Sequence, residues 1–531
     1  MTNFKKINRR EFLGSAAAAS LAITVVPRHA LGGRGYVAPS DKITLGYIGC
    51  GTQGLREMAA LISNPALQIV AVCDPNKFTT DYVDWSQNDV RNTSRTARGD
   101  NSWGEAIKGI PGGRDIGQEL VQKYYGKAKA SGTYKGCAAY EDFRELLEKE
   151  KDLNVIKIMT PDHLHGPVAI ASMKKGKHVV THKPIANRMY EAKLTIDTAK
   201  KSGLSTHLLA WSKRPDYETI KKWIAAGSIG NLKEIHNWSN RPMWPQWQAN
   251  PTDKPPVPKD FNWDLWLGPV PDRPYHPNYT HAVFRGWYDF GAGSIADMGH
   301  YSLFPLFLTL GITTPAISAE AYATTTCALK GNVSTGVKND VAFPLSCIIR
   351  FKFQAQAELP PFELFWYDGG MKPLIPELGS GPLKSEGMMF VGDKGRIIAD
   401  FRGEKPVLYN GTKSVTEAPA PATQQDEDTN DIWISSFKNN TQSPGSFIYA
   451  GPVTETILLG AVALRAGKKV EYDTMNMKIT NVPDANKYLV REYRKGWEMN
   501  IQTLFFSQNG PRDISKNTCF GQLREEFYFS E

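Results

Sequence analysis

ITLGYIGCGTQGLREMAALI (residues 43–62), followed by LQIVAVCD (residues 67–74), decides the fold. Residues 43–49 read as a buried strand, 53–62 carry helical spacing, and 68–73 form a second apolar strand. Gly49-Cys50-Gly51-Thr52-Gln53-Gly54 is a GxGxxG sequence. Alone that pattern is weak. Directly after a strand and at the mouth of a helix it is strong, because free backbone N–H groups and the helix dipole there hold a pyrophosphate. The glycines permit the tight turn, the approach of phosphate and helix-on-strand packing. Asp74 ends the second strand twenty residues past Gly54, where a carboxylate accepts hydrogen bonds from adenosine ribose hydroxyls and repels a 2′-phosphate. No arginine follows in Asp74-Pro75-Asn76, so the pattern favours NAD over NADP. The blander alternative is a glycine turn with no ligand.

The alternation continues outward. A helix over 140–150, strand 154–159, helix 164–175, strand 178–181, helix 187–201 and strand 205–210 follow in order. Strands separated by helices imply an α/β Rossmann domain with a parallel doubly wound sheet. Residues 82–135, rich in Asn, Gly, Arg and Trp, read as an inserted loop with a short helix. From about residue 212 long strand candidates such as 341–355 and 386–400 succeed one another with few helices between. That predicts an α+β domain with a large open, mostly antiparallel sheet. Residues 379–387 form a Gly/Pro/Ser loop and 418–428 a polar linker; no internal repeat or transmembrane segment stands out.

At 531 residues two domains are expected, and 41% hydrophobic with 22% charged residues is ordinary for a soluble globular chain. The net charge is +9, but Lys5, Lys6, Arg9, Arg10 and Arg28 against Glu11 alone supply nearly half of it. No basic run remains, which argues against nucleic acid as a partner. Asn8-Arg9-Arg10-Glu11-Phe12-Leu13 is a twin-arginine pattern, and the small, apolar stretch 14–26 after it is too short to span a bilayer comfortably. Residues 1–30 therefore read as an export signal, 31–211 as the nucleotide-binding domain, 212–499 as the substrate-binding domain and 500–531 as a tail of unknown role. The location expected is periplasmic, with no stable membrane anchor, since no cysteine lies near the cleavage point. Cys50, Cys73, Cys137, Cys327, Cys347 and Cys519 are scattered and read as small buried hydrophobes rather than a disulfide framework.

Residues 158–186, IMTPDHLHGPVAIASMKKGKHVVTHKPIA, closely resemble the glucose–fructose oxidoreductase / inositol dehydrogenase / rhizopine-catabolism (Gfo/Idh/MocA) family. WSNRP (238–242), WDLWLGP (263–269), FRGWYDFGAG (284–293) and REYRKGWEM (491–499) look like its bacterial extracytoplasmic branch. The resemblance covers most of residues 42–497. It implies that the lysine of a Glu-Lys-Pro motif, here Lys183 within His182-Lys183-Pro184, sits beside the nicotinamide and the reacting carbinol. An ammonium there hydrogen-bonds the substrate oxygen and stabilises developing alkoxide. The family's second element, Asp-Met-Gly-x-His, is here Asp297-Met298-Gly299-His300-Tyr301, with the histidine one place early. On a helix both i+3 and i+4 share the aspartate's face. His300 is thus the expected acid/base with Asp297 orienting it, and Tyr301 is the substitute. The family often pairs through the outer face of its second sheet, which admits a homo-oligomer and leaves the oligomeric state open.

Candidate cofactor contacts are Gly49, Gly51, Thr52, Gln53, Gly54, Asp74, Pro161, His165, His182 and Lys183. Eight of the thirteen tryptophans lie between Trp211 and Trp287, and all nine histidines beyond the signal lie between His163 and His300. Aromatics there suit pyranose faces, although at least half should be interdomain core. Tyr279, His281, Arg285, Trp287 and Tyr301 are the candidate substrate contacts. The histidine spacing fits no metal motif, so no metal is expected. The periplasm offers no free nicotinamide pool, so an exported enzyme should hold its NAD tightly and recycle it. The reading is oxidation of a sugar or glycoside hydroxyl, with hydride returned to a carbonyl acceptor. Its rivals are an NAD-dependent glycosidase working by transient ring oxidation and a sugar-binding module without catalysis.

Overall fold

A computed structural model describes residues 42–499 apart from 130, 375–382, 412 and 418–428. The twin-arginine segment, the polar linker and the tail lie outside the described residues. Six parallel strands form the first sheet: β1 (Ile43–Ile48), β2 (Leu67–Cys73), β3 (Ala138–Tyr140), β4 (Val155–Ile158), β5 (His178–Thr181) and β6 (Thr206–Leu208). Their order is β3-β2-β1-β4-β5-β6, the doubly wound arrangement with its crevice where the winding reverses at β1 and β4. Helix α1 (Thr52–Leu61) follows β1 and buries Leu55, Met58 and Leu61 at helical spacing.

The inserted stretch is more ordered than its composition suggests. It holds α2 (Asp89–Arg98) and α3 (Arg114–Gly126), and α3 buries Ile116, Leu120 and Val121 against β2. It is the β2–β3 crossover helix, a core element rather than decoration. Residues 138–140, partly read as helix, form β3 instead, and α4 (Phe143–Lys149) starts only at the Asp142 cap, which accepts the Arg144 N–H. Helices α5 (Asp162–Lys174) and α6 (Met189–Ser202) complete the layer.

The second sheet has ten strands, all neighbours antiparallel except one pair. The parallel pair joins β7 (Leu232–Trp238) to Phe362–Tyr367 at the sheet's centre. The stretch expected as one long strand over 386–400 is a hairpin, Gly387–Gly392 with Arg396–Ala399, turned at Asp393-Lys394-Gly395. Within 341–355 only Cys347–Phe353 is strand, and its alternation buries Ile349, Phe351 and Phe353. Helix Phe447–Ala466 has the length and hydropathy of a membrane span, a feature the sequence reading passed over. It is mostly buried, packed between α6 and the sheet, and so serves as a core helix. Trp433, Ile434 and Phe437, late in the chain, pack into the first domain's core. Among the described cysteines, Cys50, Cys73, Cys137 and Cys347 are buried thiols and Cys327 is exposed.

Candidate functional site

The carboxyl ends of β1, β4 and β5 open on a solvent-open groove of about 820 Å³. Glycines shape its floor. A Cβ on Gly54 would stand 2.2 Å from the Gly49 carbonyl oxygen, and one on Gly49, at φ +102°, 2.5 Å from the Met159 carbonyl carbon. Only glycine lets α1 start this close to β1 and β4. No side chain caps the start of α1, which leaves its amides for a ligand. Asp74 accepts the Cys50 N–H at 2.6 Å and the Asn76 N–H at 2.8 Å. Burial raises its carboxyl despite these bonds and the nearby Arg114. Asn76 Oδ1 beside it is buried without a hydrogen-bond partner among the described residues, and it too borders the groove. Ribose hydroxyls supply the donors that this orphan acceptor and Asp74 require, so the residues present fit NAD.

Two walls of the groove escaped the sequence reading. Tyr82 packs on Gly51 and on His281, its ring 3.9 Å from the imidazole centroid. Trp85 lies under Arg56, whose guanidinium carbon is 4.5 Å from its ring and which also pairs with Asp84. Residues 81–85 therefore form a strap from the first domain onto the second, closed by His281 and Asp81 at 3.4 Å. The available signal was position: an aromatic-acidic run directly after the ribose strand.

Beyond the strap lies an inner cavity, open to solvent and about 910 Å³ with its mouth included, bordered by Lys183, Asp297, Tyr301 and Arg285. Lys183 leaves β5 at its carboxyl end with its side chain 2% exposed, and its Nζ donates to Asp297 Oδ1 at 2.6 Å. Arg285 Nε donates to the same oxygen at 3.2 Å, and Arg241 Nε stands 3.9 Å from Oδ2. Burial alone would raise Asp297, but Lys183, Arg285 and Arg241 outweigh it and hold the carboxyl at about 2. Burial, aided by Arg285, lowers Lys183 against the pull of Asp297. Below the pair, Asp162 accepts the Ala292 N–H, and burial pushes its carboxyl up to about 7.

His300 is not in this cavity, a correction to the sequence reading. Residues Ile295–Gly299 form a π-helical turn, whose wider spacing carries Tyr301 toward Lys183 and His300 into the core. Its Nδ1 bonds the Ala296 carbonyl at 3.0 Å, its Nε2 meets Thr454 Oγ1 at 3.3 Å, and it is fully buried. Burial drives it down to about 3, so it stays neutral. Tyr301 instead shares a hydrogen bond with His182 Nε2 at 3.2 Å, and Lys183 Nζ lies 4.8 Å from its ring centroid.

The remaining candidates divide. Thr52, Gln53, Pro161 and His182 border the nucleotide groove, Gln53 and His182 bordering the inner cavity as well. His281 lines the nucleotide groove rather than the inner cavity. His165 does not reach either: its nitrogens lie 2.6 Å from the Pro184 and 2.8 Å from the Thr160 carbonyl, and it ties those two loops together. Tyr279 and Trp287 are buried in an aromatic cluster with Trp263, Trp266 and Phe290, where Trp287 Nε1 donates to the Asn278 carbonyl at 2.7 Å. Core packing claims both, because their polar tips are already satisfied inside the protein.

Residues 118–208 match the model of the oxidoreductase family's NAD-binding Rossmann fold, and residues 216–325 match that of its C-terminal alpha/beta domain. The levoglucosan dehydrogenase of Pseudarthrobacter phenanthrenivorans is 33% identical over 111 residues, covering 20% of this chain and 28% of its own. The alpha-N-acetylgalactosaminidase of Shewanella oneidensis is 25% identical over 211 residues, 37% of this chain and 38% of its own. Matches to such curated relatives thus span about a third of their length. Among solved structures, the WlbA dehydrogenase of Bordetella pertussis with NADH and UDP-GlcNAcA covers 81% of this chain and 99% of its own at 14% identity and TM-score 0.49. The two family matches fall on the two sheets described above, and the groove between them has the acceptors NAD needs. Residues 118–208 and 216–325 thus match both domain models of the Gfo/Idh/MocA oxidoreductase family, the first of them its NAD-binding Rossmann fold.

Proposed function

We propose that this protein is a periplasmic NAD-dependent oxidoreductase that oxidises a hydroxyl of a sugar or glycoside and recycles a tightly held NAD. The observation that carries the reading is the buried Lys183–Asp297 pair, set at the carboxyl end of β5 on the inner cavity next to the nucleotide groove. The α1 amides, Asp74 and Asn76 would hold the NAD, which would supply the hydride acceptor. Lys183, its amine lowered by burial, takes the hydroxyl proton on Nζ as hydride leaves the carbon, and as an ammonium it then hydrogen-bonds the new carbonyl oxygen. Asp297 keeps that ammonium charged and aimed, while Arg285 keeps Asp297 ionised. In the reverse direction Lys183 protonates the oxygen of the carbonyl acceptor.

Export by the twin-arginine signal supports tight retention, because NAD lost outside the cytoplasm has no pool to replace it. The strap over residues 81–85 supports it further by closing on His281 across the groove. NAD should therefore copurify with the protein at close to one per chain, read by mass spectrometry of the denatured sample. Dialysis that yields apoprotein restored to full activity by micromolar NAD would count against retention. Asp74→Ala should weaken NAD binding, and Asp74→Arg should admit NADP beside Arg114; an unchanged preference means that Asp74 does not read the ribose.

The similarity to the alpha-N-acetylgalactosaminidase favours one second reading, a glycosidase that oxidises the ring transiently, eliminates the aglycone and reduces the ring again. Products separate the two in a glycoside screen. A glycosidase releases free sugar and leaves no ketone, whereas the dehydrogenase leaves a ketosugar or ketoglycoside.

A further inference from the structure

The inner cavity is unbalanced in charge. Among the described residues, four basic side chains border it, Lys183, Arg241, Arg285 and Arg402, against two carboxylates, Asp84 and Asp297. Asp84 is already neutralised by Arg56, which lies outside that cavity. His182 adds nothing, since burial keeps its ring neutral. Asp297 alone is left to four cations, and its ion pairs go to Lys183, Arg285 and, at 3.9 Å, Arg241. Arg241 Nε is buried with no hydrogen-bond partner among the described residues. Arg402 turns its backbone N–H to Glu404 at 2.9 Å, while its guanidinium carbon lies 4.9 Å from the Tyr301 ring centroid. No carboxylate pairs with that guanidinium among the described residues.

Cofactor phosphates do not explain the excess, because neither Arg241 nor Arg402 borders the nucleotide groove. Both guanidiniums are partly exposed, yet Arg241 Nε is buried, and the planar fork of each matches a carboxylate or phosphate. Lys183 Nζ and the Arg402 guanidinium carbon stand 4.8 and 4.9 Å from one ring centroid, so they are under 10 Å apart. One sugar ring with an acidic substituent bridges that span. Trp85, Met243 and Trp244 line the same cavity and offer it apolar surface.

We propose that the substrate is an acidic sugar whose carboxylate or phosphate is held by Arg402 and Arg241 while its reacting hydroxyl meets Lys183. This rests on the sugar-oxidoreductase reading and narrows it.

The test is calorimetric titration of the NAD-loaded full chain with matched pairs: D-glucuronate against D-glucose, D-galacturonate against D-galactose, and D-glucose 6-phosphate. At least one acid should bind ~10-fold or more tightly than its neutral parent, the scale of one charge-assisted hydrogen-bond pair. Arg402→Gln should bring the acid down to its parent, and Arg241→Gln serves if that variant loses its NAD or its fold. Preference for the phosphorylated sugar supports the same site with phosphate as the anion. Equal binding of acids and parents, no binding by any acid, or a preference surviving both variants overturns the proposal. Appearance of the reduced-nicotinamide absorbance is followed separately with every sugar. Hydride transfer without acid preference sinks the anion site and leaves the oxidoreductase reading standing; acid binding without hydride transfer to NAD from any sugar does the reverse.

Discussion

Lys183→Ala lowers turnover by ~10²–10⁴-fold while folding and NAD content stay close to those of the parent protein. The size follows from what is lost: the one ammonium that meets Asp297 at 2.6 Å on the wall shared with the substrate cavity. The selectivity follows from what remains. Lys183 does not border the nucleotide groove, so the α1 amides, Asp74 and Asn76 keep their grip on the cofactor. Asp297 is not orphaned either, because Arg285 still donates to it at 3.2 Å. Single-turnover rates on the sugar, bound NAD by mass spectrometry and a thermal melt on one preparation read all three quantities. Near-full turnover in the variant removes Lys183 from the chemistry and with it the mechanism proposed above. A variant without NAD would instead show that the lysine holds the cofactor.

The Rossmann half was legible because its elements obey local rules. β5 was read at its observed ends, since four apolar-rich residues between a Lys-Gly turn and a Lys-Pro turn leave a strand little freedom. Asp74 and the three glycines come together on one groove because their placement depends on neighbours within one strand-turn-helix unit. The crossover helix α3 was hidden because its buried face of Ile116, Leu120 and Val121 is interrupted by polar residues and preceded by a Gly/Arg-rich run. The long strand expected over 386–400 broke because Asp393-Lys394-Gly395 is a tight turn inside an apolar run, and periodicity alone does not see it. In the site, Arg241 lay within a quoted motif, and Arg402 sits on a loop that no motif marks. What unites them is a cavity formed by several distant segments, and contacts across about 100–200 residues are invisible to spacing. His165 and Trp287 border neither the groove nor the inner cavity, for the opposite reason. Their residue types suit a site, but the fold had already satisfied their polar atoms internally.

Tyr301→Phe should lower turnover ~10²-fold, and His300→Ala should leave the turnover of each folded molecule nearly unchanged. The helical periodicity that made the two equivalent candidates does not hold here, because the π-helical turn at Ile295–Gly299 adds a residue to the spacing. That addition sets Tyr301 against Lys183 and His182 and directs His300 to Ala296 and Thr454. Tyr301 stays a phenol at neutral pH, its hydroxyl raised by burial and by Asp297, and so keeps a proton to share at the cavity wall. His300 is neutral and enclosed, with no path to a substrate. Its loss should appear in stability, at about 1–3 kcal/mol for a buried group with two polar partners left unsatisfied. The two variants are compared by denaturant midpoint and by turnover per NAD-loaded molecule. If His300→Ala cuts turnover as deeply as Lys183→Ala while its melt is unchanged, the histidine takes part in the proton transfer and its place as a core residue alone is wrong. If Tyr301→Phe turns over at the parent rate, Lys183 and Asp297 handle the proton without the phenol.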